Sequence, residues 1–264
     1  HGSNTGRMII EIEKILLKDL PDGIVVYGDT NTTLAGAIAA SKINIPIFHI
    51  EAGLRSFNRN QPEEQNRVLT DHLSDLCFGP TNQSIKNLIK ESIQKKRIIK
   101  SGDIMADTLR IFKEKSNNSN FLLEKFNLKS KNFILFTLHR QENVENRYKL
   151  YEILEGLKDL SLPIIFPIHP RTKNKITEFN LTSFLNEMII TEPLGFIDMM
   201  FLERNAFLIL TDSGGIQKEA YLQKTPCITL REETEWIELI ENGWNKLANP
   251  LNSKNIKSLI NLEI

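Results

Sequence analysis

The residues that could do chemistry in this chain recur at one kind of place, the end of a short apolar run. These ends read Tyr27-Gly28-Asp29, His49-Ile50-Glu51, Leu138-His139-Arg140, Ile168-His169-Pro170-Arg171 and Leu210-Thr211-Asp212-Ser213-Gly214-Gly215. Asp29 and Glu51 offer carboxylates for proton transfer. Glu51 follows an apolar run and precedes Ala52-Gly53, a setting where a buried carboxylate needs a partner. Taken alone, Asp29 reads as a cap for the next helix. Glu63 and Glu64 follow Pro62 and suit the first turn of a helix as charges at its positive end. His139-Arg140 and His169-Pro170-Arg171 each set an imidazole beside a guanidinium, which fits an anion such as phosphate. His72 reads as a structural histidine on the inner side of its helix, with Val68, Leu69, Leu73 and Leu76.

The stretch Phe207–Ala220 is the densest of these sites. Phe207 to Leu210 suit a buried strand, and a helical run opens at Ile216. Such a junction leaves backbone N–H groups free at a helix N-terminus, where the dipole favours an anion. Gly214 and Gly215 let a ligand approach the backbone, and Ser213 can cap the helix or donate to a phosphoryl oxygen. Glu219, one turn into the helix, can accept two ribose hydroxyls. The same residues also describe an ordinary strand–cap–helix junction, and the glycine spacing fits neither a dinucleotide fingerprint nor a Walker loop.

Composition narrows the class. The chain has 264 residues, with 33 basic and 33 acidic, which argues against a general nucleic-acid binder. Cys77 and Cys227 each lie in or beside an apolar segment and read as core residues. No run reaches membrane-spanning length and no secretory signal is present, so no membrane partner is expected and the cytoplasm is the simplest setting. No His/Cys cluster has zinc spacing and no two-metal carboxylate pattern occurs, so no catalytic metal is expected.

These groups must be positioned by alternating strands and helices. The pattern predicts helices at Thr5–Leu20, Leu34–Ser41 and from Pro62 to about Leu76. It predicts strands at Ile24–Tyr27, Ile45–His49, Cys77–Gly79 and Arg97–Lys100. After Lys115-Ser116-Asn117-Asn118-Ser119-Asn120, a polar linker candidate, strands recur at Asn132–Thr137, Leu162–Ile168, Met188–Thr191, Phe207–Leu210 and Cys227–Leu230. The expected fold is therefore α/β: two doubly wound parallel-sheet (Rossmann-like) domains, 1–113 and 121–264, with a cleft between them. In such sheets ligands sit beyond the carboxyl ends of the strands, where the polar clusters fall.

Several stretches together resemble the non-hydrolysing UDP-N-acetylglucosamine 2-epimerase family, which has the two-domain GT-B architecture. They are Tyr27–Thr33, His49–Ser56, Pro62–Arg67, Thr137–Asn143, Pro167–Pro170 and Thr211–Ala220. The hydrolysing branch, which releases free ManNAc, resembles the chain less around Glu51–Arg55. The resemblance implies inversion at C2 of UDP-GlcNAc by elimination and re-addition of UDP through a glycal, with no external cofactor. It implies acid–base roles for Asp29, Glu51 and Glu63 and a requirement for His139. Ser213, Gly214, Gly215, His139 and Arg140 become candidates for the diphosphate, with His169 beside them. Each well-aimed donor contributes roughly 3–4 kcal/mol in a water-poor site. Glu219 matches the ribose-binding Glu, and the Phe196 region matches the uracil-contacting segment. Homodimers are usual in the family, so a homodimer is the expectation. The departures are at the ends: nothing matches the family's opening strand and Gly-Thr-Arg-Pro-Glu loop, and its C-terminal helices extend further. The expectation is that 1–264 is a partial chain, inactive alone. The rival readings are a GT-B glycosyltransferase, a non-catalytic nucleotide-sugar sensor and an epimerase of another UDP-acetamido sugar.

Overall fold

A computed structural model describes residues 2–264. The chain divides into two compact units, one ending at Ile104 and the other running from Met105 to Ile264. The first unit holds a parallel sheet of β1 (Ile24–Tyr27), β2 (Ile47–Ile50), β3 (Leu76–Gly79) and β4 (Ile98–Lys100), in that spatial order. The second holds β5 (Ile134–Thr137), β6 (Ile164–Pro167), β7 (Met188–Thr191), β8 (Leu208–Thr211), β9 (Cys227–Thr229) and β10 (Asn245–Leu247). Their spatial order is β10-β9-β8-β5-β6-β7, all parallel.

The second sheet explains its own sequence. Successive side chains of a strand point to opposite faces. Ile134 and Phe136 of β5, with Leu208 and Leu210 of β8, meet the helix Arg147–Gly156 through Leu150, Ile153 and Leu154. Leu135 and Ile209, on the other face, meet Phe201, Leu202 and Ala220. Both faces are covered, so these strands need continuous apolar runs. The strand order reverses between β5 and β8, a topological switch point at which open α/β sheets place ligands.

The first sheet is thinner. Its edge strand β1 leaves Val25 and Tyr27 more than half exposed, while Val26 packs with Ala37, Ala39 and Ala40 of the helix Asn31–Lys42. Small residues on that helix permit close approach to the sheet. The helix Pro62–Leu73 departs from the expected orientation. It buries Glu64, Asn66, Arg67, Thr70 and Asp71, while Leu69 and His72 are exposed. The polar face turns inward because its charges are matched there by partners from the turn after β1, from β2 and from the loop 51–61.

Several elements escaped the sequence reading, among them the helices Pro170–Glu178 and Phe196–Asn205, the strand β10, and the helix Ser253–Glu263, whose Ile256 and Ile260 pack into the core with β5. The polar segment read as a linker is helical at the backbone, with a helix to Ser116 and a 3-10 turn over Asn117–Asn120. Both cysteines are buried free thiols. Among the described residues no helix is long and apolar enough to cross a membrane.

Candidate active site

In the first unit, the turns after β1 and β2 bring two carboxylates together. Gly28 adopts φ +63°, and its missing side chain leaves room for Glu51, whose Oε2 would lie 3.3 Å from a Cβ there. Glu51 itself sits at φ +74°, a region that costs a residue with a side chain of this kind. Its backbone N–H donates to Phe78 O (3.1 Å), which ties the turn to β3. Burial, reinforced by the charges of Asp29 and Asp103, pushes the half-buried Glu51 carboxyl up to about 7, against the opposing pull of Arg67 and His49. Asp29 is not a helix cap; Thr30 takes that place, accepting from Thr33 N at 3.3 Å. The Asp29 carboxylate instead binds the Arg67 guanidinium, and Asn66 Nδ2 donates to its carbonyl (2.8 Å). Glu64 is buried and accepts from the backbone of Ser56 (2.8 Å) and Phe57 (3.0 Å), so it holds the loop. Glu63, half-buried one residue earlier, joins none of these bonds.

In the second unit, β5 and β8 deliver the other group to the switch point. Asp212, fully buried, accepts from His139 N (3.1 Å), Arg140 N (2.8 Å) and Asn143 Nδ2 (3.2 Å), and lies 3.3 Å from His139 Nδ1. Burial alone would raise this carboxyl. The bond and charge of His139 and the two backbone N–H groups outweigh it and hold the group below the usual range. Asp212 thus clamps the loop after β5 to the end of β8, where Thr137 and Thr211 also share a 2.7 Å hydroxyl bond. Ser213 caps the helix Gly214–Leu222, accepting from Ile216 N at 3.3 Å. Glu235, paired with Arg231 at 2.9 Å, lies against Gly214, so that a Cβ there would come within 2.4 Å of its Oε1. Arg140 Nη2 approaches the same point at 3.9 Å. Around Gly215 a Cβ would meet only ordinary contacts, at 3.7 and 3.8 Å.

His139 and His169 stand with ring centroids 6.4 Å apart, and His169 caps the helix Pro170–Glu178 through Nδ1 (3.1 Å to Arg171 N). Beside them is a cavity of about 150 Å³, lined by Leu138, His139, Pro167, His169, Leu194 and Met199 among others. Phe196 is not in its lining; it sets its ring edge-on to Phe112, centroids 5.9 Å apart. Glu219 lies half-buried beside Glu203, which is almost fully buried and accepts from Gln223 Nε2 (2.7 Å). Burial raises both carboxyls, and their proximity raises Glu203 further.

The family model for UDP-N-acetylglucosamine 2-epimerase matches residues 1–262. The chain belongs to the UDP-N-acetylglucosamine 2-epimerase family. It is 49% identical to the UDP-N-acetylglucosamine 2-epimerase of Methanocaldococcus jannaschii, covering 98% of this chain and 73% of that protein. It is 45% identical to the UDP-2,3-diacetamido-2,3-dideoxy-D-glucuronate 2-epimerase of Pseudomonas aeruginosa, covering 94% of this chain and 69% of that protein. The crystal structure of the M. jannaschii enzyme in complex with UDP-GlcNAc and UDP superposes with a TM-score of 0.93 at 46% identity, over 100% of this chain and 74% of that one.

Within this epimerase-family chain, sequence reasoning found the ends of the strands but not the partners behind them. Arg67 and Asp212 lie in quoted motifs, Glu203 and Glu235 lie outside them, and none of the four was given a role. Asp212 carried a signal, since an Asp between an apolar strand and Ser-Gly-Gly will be buried and needs donors. Glu203 carried none, because it sits in a helix that reads as plain apolar packing. Chemically, the first cluster can give and take a proton near neutrality, and the second offers N–H groups, an imidazole and a guanidinium to an anion.

Proposed function

We propose that the protein interconverts the C2 epimers UDP-N-acetylglucosamine and UDP-N-acetylmannosamine. The observation that carries this is Glu51. A carboxyl pushed up to about 7 is present in both protonated and ionised forms at neutral pH, which suits a group that removes and returns a carbon-bound proton. In the forward step a carboxylate takes the C2 proton and the C1–O bond to UDP breaks. The electron pair of the C–H bond becomes the C1=C2 bond of the glycal, and the C1–O pair leaves with UDP. The return step re-forms the C1–O bond and places a proton on the other face of C2. Asp29 is the second carboxylate at the site, held by Arg67. Glu63 is the third candidate, and Glu63→Gln measured beside Glu51→Gln ranks the two.

The UDP end of the reading rests on the second unit. Ser213, the N–H groups of Gly214 and Gly215, His139 and Arg140 stabilise the leaving diphosphate. His169 and the cavity by Leu194 and Met199 take the base, and Glu219 takes the ribose hydroxyls. The complex of the M. jannaschii relative with UDP-GlcNAc and UDP supports this assignment. Proton NMR of UDP-GlcNAc in D2O with the full-length protein tests it. The expected result is deuterium at C2 with UDP-ManNAc accumulating and no free ManNAc. Release of ManNAc and UDP as main products overturns the non-hydrolysing assignment.

A second reading has its own support. The 45% identity to the diacetamido-glucuronate epimerase of P. aeruginosa makes a UDP-2,3-diacetamido sugar the next substrate class. C2 exchange with that sugar, and none with UDP-GlcNAc, selects it.

A further inference from the structure

Behind the Asp29–Glu51 pair lies a histidine that the reaction as described does not use. His49 is fully buried in the middle of β2, flanked in register by Val26 of β1 and Cys77 of β3. Its Nδ1 lies 2.7 Å from Asp71 Oδ1 and its Nε2 lies 2.8 Å from the carbonyl oxygen of Gly28. A carbonyl oxygen only accepts, so Nε2 must carry a hydrogen. Asp71 Oδ2 already accepts from Gly53 N (3.1 Å) and Arg55 Nη2 (2.7 Å). The Arg55 guanidinium and the Gly53 N–H on Oδ2 hold Asp71 as a carboxylate. An ionised Asp71 is an acceptor as well, so Nδ1 must also carry a hydrogen. A singly protonated ring would set a lone pair against a carboxylate oxygen where both side chains are fully buried.

Charge counting agrees. Arg55 also binds Glu91, through Nε at 2.8 Å and Nη2 at 2.5 Å. Arg55 is thus shared between the fully buried Asp71 and the partly exposed Glu91, and a charged His49 gives Asp71 a second buried cation. The other titratable groups around the ring are Cys77, whose thiol burial pushes up to about 12, and Glu51, flanked by Asp29 and Arg67.

We propose that His49 is an imidazolium that positions the two turns bearing Asp29 and Glu51, with Asp71 as its counter-ion. Its Nε2–H holds the Gly28 carbonyl, which fixes the left-handed turn leading into Asp29. Asp71 passes the same constraint to Gly53, two residues beyond Glu51. The charge on the ring opposes the rise of the Glu51 carboxyl. The catalytic consequence rests on the epimerase reading; the protonation state does not.

The test is nitrogen NMR of the full-length protein with 15N-labelled histidine and no substrate. The expected result is one histidine with a proton on both ring nitrogens at pH 7, assigned by its contacts to Val26 and Cys77. A buried ring with a single proton at Nε2 overturns the proposal whether or not the protein turns over UDP-GlcNAc. The second arm is His49→Gln, which keeps a donor but removes the charge. Its kcat is expected to fall about 10- to 100-fold with KM little changed, and the limb of the pH–rate profile set by Glu51 to move to higher pH. Wild-type kcat with an unmoved limb overturns the positioning role.

Discussion

Glu51 and Asp212 occupy the same kind of place, just beyond the carboxyl end of a parallel strand, and they are tuned in opposite directions. Glu51 is raised to about 7 by burial and by the charges of Asp29 and Asp103, which outweigh the pull of Arg67 and His49. Asp212 faces two backbone N–H groups, an amide and an imidazole, and falls below the usual range. One is left poised to exchange a proton, and the other is locked as an anion that ties two loops together. Position on the fold is therefore not function; the donors and charges around the carboxyl decide it.

The sharpest way to break this contrast is to neutralise each carboxyl. Glu51→Gln is expected to lower kcat by about 10²–10⁴-fold while changing unfolding free energy at pH 4 by less than about 1 kcal/mol. Asp212→Ala is expected to reverse the pattern in stability. It strands several buried donors and costs about 3 kcal/mol in chemical denaturation, whether or not activity survives.

The pH dependence of stability separates the two without any kinetics. Glu51 has a folded-state value above its unfolded value near 4.5. Its contribution is fully present below about pH 4.5 and is lost as pH rises towards 7. Glu51→Gln should therefore gain on the wild type at pH 8 and not at pH 4. Asp212 is depressed, so its contribution is present at neutral pH and is lost as acid protonates it. Asp212→Asn should lose most at pH 7 and converge on the wild type in strong acid. Parallel curves for the two variants would contradict the opposed tuning.

A smaller comparison lies within the glycine pair. Gly214→Ala forces Glu235 to move and is expected to cost about 1–2 kcal/mol of stability. Gly215→Ala meets only ordinary contacts, so stability should stay within about 0.5 kcal/mol. If the diphosphate lies on that backbone, the same substitution weakens UDP binding about tenfold, measured by calorimetry.

How much of this was legible follows from how far apart the partners lie. The strands of the second unit announce themselves because both faces are covered, and Met188–Thr191 was read with the bounds it has. The closing strand Asn245–Leu247 was missed because its Asn and Lys mask its pairing with β9. The candidate residues at strand ends were visible because polar groups interrupt apolar runs there. Their partners were not: Arg67 is 38 residues from Asp29, and Asp212 is 73 from His139. Nor could periodicity orient the helix Pro62–Leu73, since it buries its charged face. Apolar spacing marks the core side only where the core is apolar.

The most direct test of the central claim is a carbon NMR titration of the protein labelled with 13C at the glutamate carboxyls. The account predicts one carboxyl, absent from Glu51→Gln, that titrates near pH 7. A Glu51 carboxyl that titrates with the ordinary glutamates, near 4.5, would contradict it.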